Sequence, residues 1–584
     1  MPAARTTGIA VSALSDENDC KQVRRAGDAA ANVPPYDQGG NIVLNGLMMD
    51  RPLLISSIIT YAAEVHGTAE LVSADAQGHV TRSTYAEILP RISRLAHALR
   101  TLGIRPGDRI ATLAFNNQRH FELYYAISGI GAVCHTINPR LFPEQLAYIV
   151  KHASDRVLFF DGVTAGIVRQ MRAQWPADLR YVAMEDEPST SAIGDIPGLL
   201  CYEALLADHP PAMSWPELDE KTASGLCYTS GTTGEPKGAL YSHRSTLLHA
   251  FGLAMSASKL HGQGKRLLPI VPLFHVNAWG TPYSAPLTGT SMIMPGPRLD
   301  GASLFDLMDR EGVTGSLGVP TVWRGLLTEI EKRGRKPKDL TLAIIGGSAC
   351  PRSMIEALEN VGVEVNHAWG MTEMSPVGTC GQLSPEQAAL PAEEKFALQE
   401  TQGHRMYGVE LKLVGDRGER LPHDGRAVGE LLIRGPTIAS GYFENPEASA
   451  KLLDSDGWLR TGDMARIYPS GFMQIVDRTK DLIKSGGEWI SSVDLENIAT
   501  AFPGVAIAAV IGIPDAKWDE RPLLVVQPVS GATPSKESLL AFMATKIAKW
   551  QVPDDVVFMD SVPLTATGKI SKLHLREVIA RLRA

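Results

Sequence analysis

From about Leu53 onward, helix-like and strand-like stretches alternate along the chain, and this limits the fold more than any other feature of the sequence. Tyr85, Ile88, Leu89, Ile92, Leu95, Ala96 and Leu99 recur at three- and four-residue intervals, the spacing of an apolar stripe on a helix. Pro90 falls near the start of that helix, where proline is tolerated best. Gly103 ends it, and Pro106-Gly107-Asp108 supplies a turn. Arg109 to Phe115 then reads as a short buried strand. Further strands are expected at Val157–Phe160, Gly225–Tyr228, Leu267–Val271, Ser291–Met294 and Leu342–Ile345, with helical segments between them. Such alternation builds layered, mostly parallel sheets, so the class is α/β.

The last hundred residues change character. Val505–Ile513, Leu523–Val529 and Val556–Met559 are strand-like, and one helical pattern lies near Lys536–Lys549. This predicts a small α+β domain that begins close to Asp477-Arg478-Thr479-Lys480. At roughly 150 residues per domain, 584 residues imply about four units or fewer large ones. The division read here is a polar N-terminal extension over 1–45, a large domain over 46–479 and a small mobile C-terminal domain over 480–584. The extension has no hydrophobic signal core and mixes Arg5, Lys21, Arg24 and Arg25 with Asp16, Glu17, Asp19 and Asp28. Glu386 to Gln402 is polar and reads as a surface excursion.

Charge and cysteine usage narrow the partners. Lys+Arg is 56 and Asp+Glu is 64, a net charge of −8, which disfavours a general nucleic-acid binder. No apolar run approaches the roughly 18 to 20 residues that span a bilayer. Cys20, Cys134, Cys201, Cys227, Cys350 and Cys380 form no CxxC pair and are too few for a disulfide scaffold. A reducing, cytoplasmic setting is expected. A homodimer is compatible with the sequence.

The most informative stretch is Tyr228-Thr229-Ser230-Gly231-Thr232-Thr233-Gly234-Glu235-Pro236-Lys237-Gly238. It follows a strand and precedes a helix expected to begin near Ser242. Its glycines let backbone approach a ligand closely. Hydroxyls and free N–H groups can donate to phosphate oxygens, and Lys237 adds positive charge. The Walker spacing is absent. By composition alone, a mobile polar turn is an equal reading.

The ordered string resembles the phosphate loop of the adenylate-forming superfamily, which includes acyl-CoA synthetases, luciferases and adenylation domains. The match continues in the family's order. His367-Ala368-Trp369-Gly370-Met371-Thr372-Glu373 resembles the aromatic-Gly-x-Thr-Glu segment, and Thr461-Gly462-Asp463 the ribose-binding element. Asp477-Arg478-Thr479-Lys480-Asp481 resembles the hinge, and Thr567-Gly568-Lys569 the catalytic-lysine loop. The resemblance covers roughly Leu53 to the C-terminus.

It implies a reaction in two halves. A carboxylate attacks the α-phosphate of ATP, and a thiol then displaces AMP. The implied cofactors and substrates are ATP, Mg²⁺, coenzyme A and a small carboxylic acid. Two anions meet in the first half, so cations must neutralise the developing charge. The resemblance makes Thr229 and Glu373 the Mg²⁺ ligands, and Lys569 the catalytic cation beside them. It assigns ATP phosphates to Ser230, Gly231, Thr232, Thr233, Gly234 and Lys237, the α-phosphate to Thr372, and the adenine slot to Gly347, His367 and Ala368, with Trp369 offering a stacking face and Gly370 a further cofactor-binding position. Asp463 and Arg478 face the ribose. Relatives mostly carry Tyr where Trp369 stands, so no role is expected here that needs a phenol. Lys480 is the hinge position, and Lys484 with the following Ser485-Gly486-Gly487-Glu488 faces the pantetheine arm. Taken alone, Lys569 would be a surface lysine and His367 a packed histidine.

Within the superfamily, three segments resemble bacterial medium- and long-chain fatty acyl-CoA ligases. They are Pro272–Gly280, Gly346–Pro351 and Ser485–Ser491. An apolar tail needs a hydrophobic tunnel. Val276 and Trp279 are expected at its mouth, with Trp489 as the gate. Medium-chain acids are the expected substrates. The rivals are a short thioether acid such as methylmercaptopropionate, long-chain acids and, in a different class, a non-catalytic nucleotide-binding regulator.

Overall fold

A capping box fixes where the first long helix begins. The Thr84 side chain accepts from the backbone N–H of Glu87, whose carboxylate accepts in return from the backbone of Thr84. The helix therefore runs Tyr85–Thr101, with its apolar stripe buried and Pro90 inside its second turn. A computed structural model describes residues 46–194, 196–229, 235–486, 488–565 and 569–583.

Among these residues two large sheets carry the main core. One has seven strands, in the order Leu200–Cys201, Arg180–Ala183, Val157–Phe160, Arg109–Leu113, Val133–Thr136, Ala223–Tyr228 and Gly238–Ser242. It is parallel except for the last pair. The other has nine strands. Its parallel centre contains Arg266–Pro269, Gly315–Gly318, Leu342–Gly346 and Glu364–Gly370, and its outer pairs are antiparallel. The expected α/β class and the expected strands are present, with ends shifted by a residue or two.

The helix expected near Ser242 is His243–Ser256, capped by Ser242, and the antiparallel strand Gly238–Ser242, which the sequence reading did not include, leads into it. Five residues with one exposed position are too short to announce themselves. The segment Glu386–Gln402 lies mostly at the surface, as expected, but it is folded. It holds the helix Ala392–Glu400, and buried Gln399 donates to Val365 O at 2.9 Å and Glu359 Oε1 at 2.6 Å. Gln399 thus ties this helix to a strand carbonyl and to a carboxylate of the neighbouring helix Arg352–Asn360. The small-domain helix ends at Ala544, short of Lys549.

A four-stranded antiparallel sheet, Glu410–Val414, Gly429–Arg434, Leu459–Ile467 and Met473–Arg478, lies between the large sheets and the small domain in sequence. Its register sets Asp463 opposite Arg478. In the small domain, Val505–Asp515 and Asp519–Pro528 pair antiparallel, Asp555–Phe558 joins in parallel, and helices cover the sheet. Separate apolar clusters around Leu524 and Leu523 pack its two faces. No helix among the described residues is long and apolar enough to cross a membrane.

Candidate active site

A cleft of about 570 Å³ opens where strand ends of both large sheets meet the four-stranded sheet and the Lys569 loop. The strand Glu364–Gly370 delivers Ala368, Trp369 and Gly370 to its wall, and the short turn Thr372–Met374 adds Thr372 and Glu373. Tyr241 holds that turn by donating to Thr372 O at 2.6 Å. Gly347 follows the neighbouring strand with φ of +80°, and a side chain there would press on Val319 at 3.2 Å. Glycine is needed for both reasons.

Trp369 Nε1 donates to Asp463 Oδ2 at 2.9 Å, and Arg478 Nε stands 3.7 Å from the other carboxylate oxygen. Burial raises the Asp463 pKa, while Arg478, the indole N–H and Lys569 oppose the rise. Asp463 thus stands behind Trp369 with one oxygen already engaged.

On the opposite side, Tyr442 donates to Glu373 Oε1 at 2.6 Å. Lys237 Nζ lies 5.3 Å from the centre of the Tyr442 ring, and its backbone N–H donates to Thr229 Oγ1 at 3.3 Å. Thr229, Lys237, Tyr442 and Glu373 therefore form one polar corner of the cleft.

Lys569 enters from the small domain. Its carbonyl accepts from Thr565 N–H at 2.7 Å, and its own N–H donates to Thr565 Oγ1 at 3.2 Å. Burial pushes the ammonium down to about 8, Arg478 adds to the shift, and Asp463 works against it. His275 lines the same cleft, and burial with the nearby Lys569 pushes it down to about 3, so it is neutral.

Val276 to Trp279 form a left-handed turn, with φ of 43°, 56°, 45° and 57° in four successive non-glycine residues. Left-handed backbone costs roughly 1–2 kcal/mol per residue. Buried Tyr124 helps hold it by donating to Asn277 Oδ1 at 3.0 Å. The turn puts Val276 and Trp279 in the cleft wall. Trp279, Ala368 and Val377 also line a second, apolar cavity of about 10 Å³ with Leu253, Leu260, Leu317, Ile344 and Cys380.

The structure thus brings Thr229, Lys237, Val276, Trp279, Gly347, Ala368, Trp369, Gly370, Thr372, Glu373, Arg478, Lys480 and Lys569 to one cleft. His367 does not line it. It is buried and donates from Nδ1 to Glu400 O at 3.1 Å, and burial pushes it down to about 4. Lys484 and Trp489 lie on the hairpin Ile483–Ser485 and Glu488–Ile490, with Trp489 half exposed and outside the cleft. Ser230, Gly231, Thr232, Thr233 and Gly234 fall outside the described residues. Sequence reasoning missed Tyr442 as a site residue. No motif marks it, and only the fold carries it to Glu373.

The comparisons with known proteins agree with this geometry. The model of the AMP-binding enzyme family matches residues 60–443, and that of the AMP-binding enzyme C-terminal domain matches 494–569. The chain belongs to the AMP-binding, adenylate-forming enzymes. It is an AMP-forming acyl-CoA ligase. A 3-methylmercaptopropionyl-CoA ligase of Ruegeria lacuscaerulensis is 52% identical over 91% of this chain and 98% of its own. A medium-chain-fatty-acid–CoA ligase of Ectopseudomonas oleovorans is 48% identical over 91% and 97%. Among solved structures, the anthranilate CoA ligase AuaEII shares the fold, with a TM-score of 0.79 at 24% identity over 91% of this chain and 98% of that one. The ligase uses ATP and coenzyme A as substrates.

Proposed function

We propose that the ligase activates short- to medium-chain acids, and that the cleft holds ATP and the acid while Lys569 neutralises charge between them. A carboxylate oxygen bonds to the α-phosphorus and pyrophosphate leaves, giving acyl-AMP. The thiol sulfur of coenzyme A then bonds to the acyl carbon, AMP leaves, and the thiol proton passes to solvent. In the first step Lys569 bridges the carboxylate and α-phosphate, a placement worth far more in a dry cleft than in water. Asp463 and Arg478 hold the ribose, Trp369 covers the adenine, and Thr372 meets the α-phosphate.

Thr229 and Glu373 suit Mg²⁺, a hard cation content with few protein oxygens beside phosphates and water. Glu373 keeps one carboxylate oxygen beyond its Tyr442 bond, and Thr229 lies in the same polar corner. Bound there, the metal would neutralise phosphate charge. The domain boundary at 479/480 and the hinge role of Lys480 fit this division of labour, with Lys484 and Trp489 serving the thioester step from the small domain's other face.

The observation that carries the acid class is the likeness to relatives named for methylmercaptopropionate and for medium-chain acids, each 48% identical or more over 91% of this chain. The test is acyl-CoA formation over acids of graded length, from propionate to palmitate, with 3-methylmercaptopropionate included. Highest kcat/KM at octanoate or shorter is expected. A maximum at palmitate would overturn the reading.

A further inference from the structure

Asp477 is the last residue but one of the strand Met473–Arg478, just ahead of Lys480, and its carboxylate is buried. Oδ1 accepts from the Arg478 N–H at 2.7 Å. Oδ2 accepts from the Ser492 N–H at 2.6 Å and from the Ser492 hydroxyl at 2.7 Å. Beside it, the Ser491 hydroxyl donates to Val476 O at 2.7 Å. Ser491 caps the small-domain helix Ser492–Thr500, so the strand that precedes Lys480 grips the start of a helix that follows it.

The contact continues to the segment that carries Lys569. The Ser492 hydroxyl accepts from Lys572 Nζ, and the same ammonium pairs with Glu496 at 2.7 Å. Lys572 opens the helix Lys572–Arg583, three residues after Lys569. Ser492 therefore joins a carboxylate on the four-stranded sheet to an ammonium at the root of the Lys569 loop. Hydrogen bonds to an ionised group are stronger than neutral ones, so the grip is firm.

Resting on the reading of Lys480 as the pivot, we infer that Asp477 and Ser492 are positioning residues that latch the small domain in the setting where Lys569 lines the cleft. A turn of residues 480–584 as one body carries Ser491, Ser492 and Lys572 away together. Val476 and Asp477 stay with the four-stranded sheet, so their bonds to the two serines break. The latch thus favours acyl-AMP formation and opposes the thioester step. The efficiency of each half-reaction scales with the fraction of enzyme in its setting, so weakening the latch multiplies the quotient of the two efficiencies.

The experiment measures kcat/KM for each half-reaction on the intact enzyme, using the acid most efficient in the graded-length panel. Acyl-AMP formation is followed by pyrophosphate release. Thioester formation starts from the synthetic adenylate of that acid and coenzyme A and is followed by mass spectrometry. Asp477→Asn keeps the shape and removes the charge. Ser492→Ala deletes the hydroxyl and keeps the backbone N–H. In each, the quotient of thioester over adenylate efficiency should rise about tenfold. A purely structural role would lower both half-reactions together, so a parental or lower quotient in the folded variants overturns the latch. Lys569→Ala tests the pivot separately. If that variant loses both half-reactions equally, the pivot fails and the latch falls with it. If it keeps thioester formation while the quotients of the other two stay parental, only the latch fails.

Discussion

The indole N–H of Trp369 donates to Asp463 Oδ2 at 2.9 Å, which ties the aromatic wall of the cleft to the buried carboxylate opposite Arg478. The indole thus serves as a donor that orients the carboxylate. Trp369→Phe keeps an aromatic face and loses that donor. Hydrogen bonds to charged groups contribute about 1.5–3 kcal/mol, so KM for ATP should rise about tenfold or more. KM for the acid should stay near the parental value. Steady-state kinetics with each substrate varied in turn reads the difference, and equal changes in both would refute it.

Lys569 reaches the cleft from the small domain and should act only while carboxylate meets α-phosphate. Losing a transition-state charge contact costs about 3 kcal/mol or more, roughly a hundredfold in rate. Lys569→Ala should therefore fail to form acyl-AMP from acid and ATP. Supplied with synthetic acyl-AMP and coenzyme A, it should form thioester at near-parental rate. Equal loss of both half-reactions in folded protein would rule out this division.

The same lysine gives a pH signature. Its pKa of about 8 lies below the ordinary value of about 10.4, so the ammonium is charged below pH 8 and neutral above it. In the folded state that charge is disfavoured, so its penalty on stability is present below about pH 8 and fades as pH rises toward 10.4. Catalysis wants the charged form, so kcat/KM for ATP should fall as pH rises through about 8. Bound ATP is anionic and holds the proton more tightly, so kcat should fall only at higher pH. Lys569→Arg should remove the limb from this range, and an unchanged profile in that variant would assign it to another group.

Glu373 and Tyr442 form one unit at 2.6 Å. Glu373→Gln keeps shape and removes the charge that would hold Mg²⁺, so adenylation should fall and half-saturation by Mg²⁺ should move to higher concentration. Tyr442→Phe should do the same more weakly, through loss of the bond that fixes the carboxylate. Identical Mg²⁺ titrations in parent and Glu373→Gln would place the metal elsewhere.

Gln402 is a structural counterpart. It is buried, accepts from Ile475 N–H at 2.6 Å and donates toward His367 Nε2 at 3.4 Å. Gln402→Ala orphans both partners at a cost of about 1–3 kcal/mol each. Chemical denaturation should show a lower midpoint with an unchanged slope.

The sequence carries the site better than it carries the scaffold around it. Thr229, Lys237, Thr372, Glu373, Arg478 and Lys569 belong to ordered strings whose spacing survives in one dimension, and the fold gathers them. Tyr442 belongs to no string, because its role depends on a turn that returns to Glu373 from 69 residues away. The four-stranded sheet around Asp463 went unread. Two of its strands, Gly429–Arg434 and Met473–Arg478, break the two-residue alternation of burial. His367 matched its motif, yet it packs against Glu400 and Gln402 behind the wall, since neighbours on a strand face opposite sides.

Arg478, Thr479 and Lys480 line the cleft, so the chain that leads to the small domain is itself part of the nucleotide's wall. Occupancy of the cleft and the setting of that segment are then linked quantities. Any nucleotide that prefers one setting draws the segment toward it, and the setting returns the preference as affinity by the same factor. If the small domain turns about this segment, release of AMP and that turn would be two views of a single equilibrium. A substitution that stiffens residues 479–480 would therefore alter how long AMP stays, even if it left every atom that touches the adenine in place.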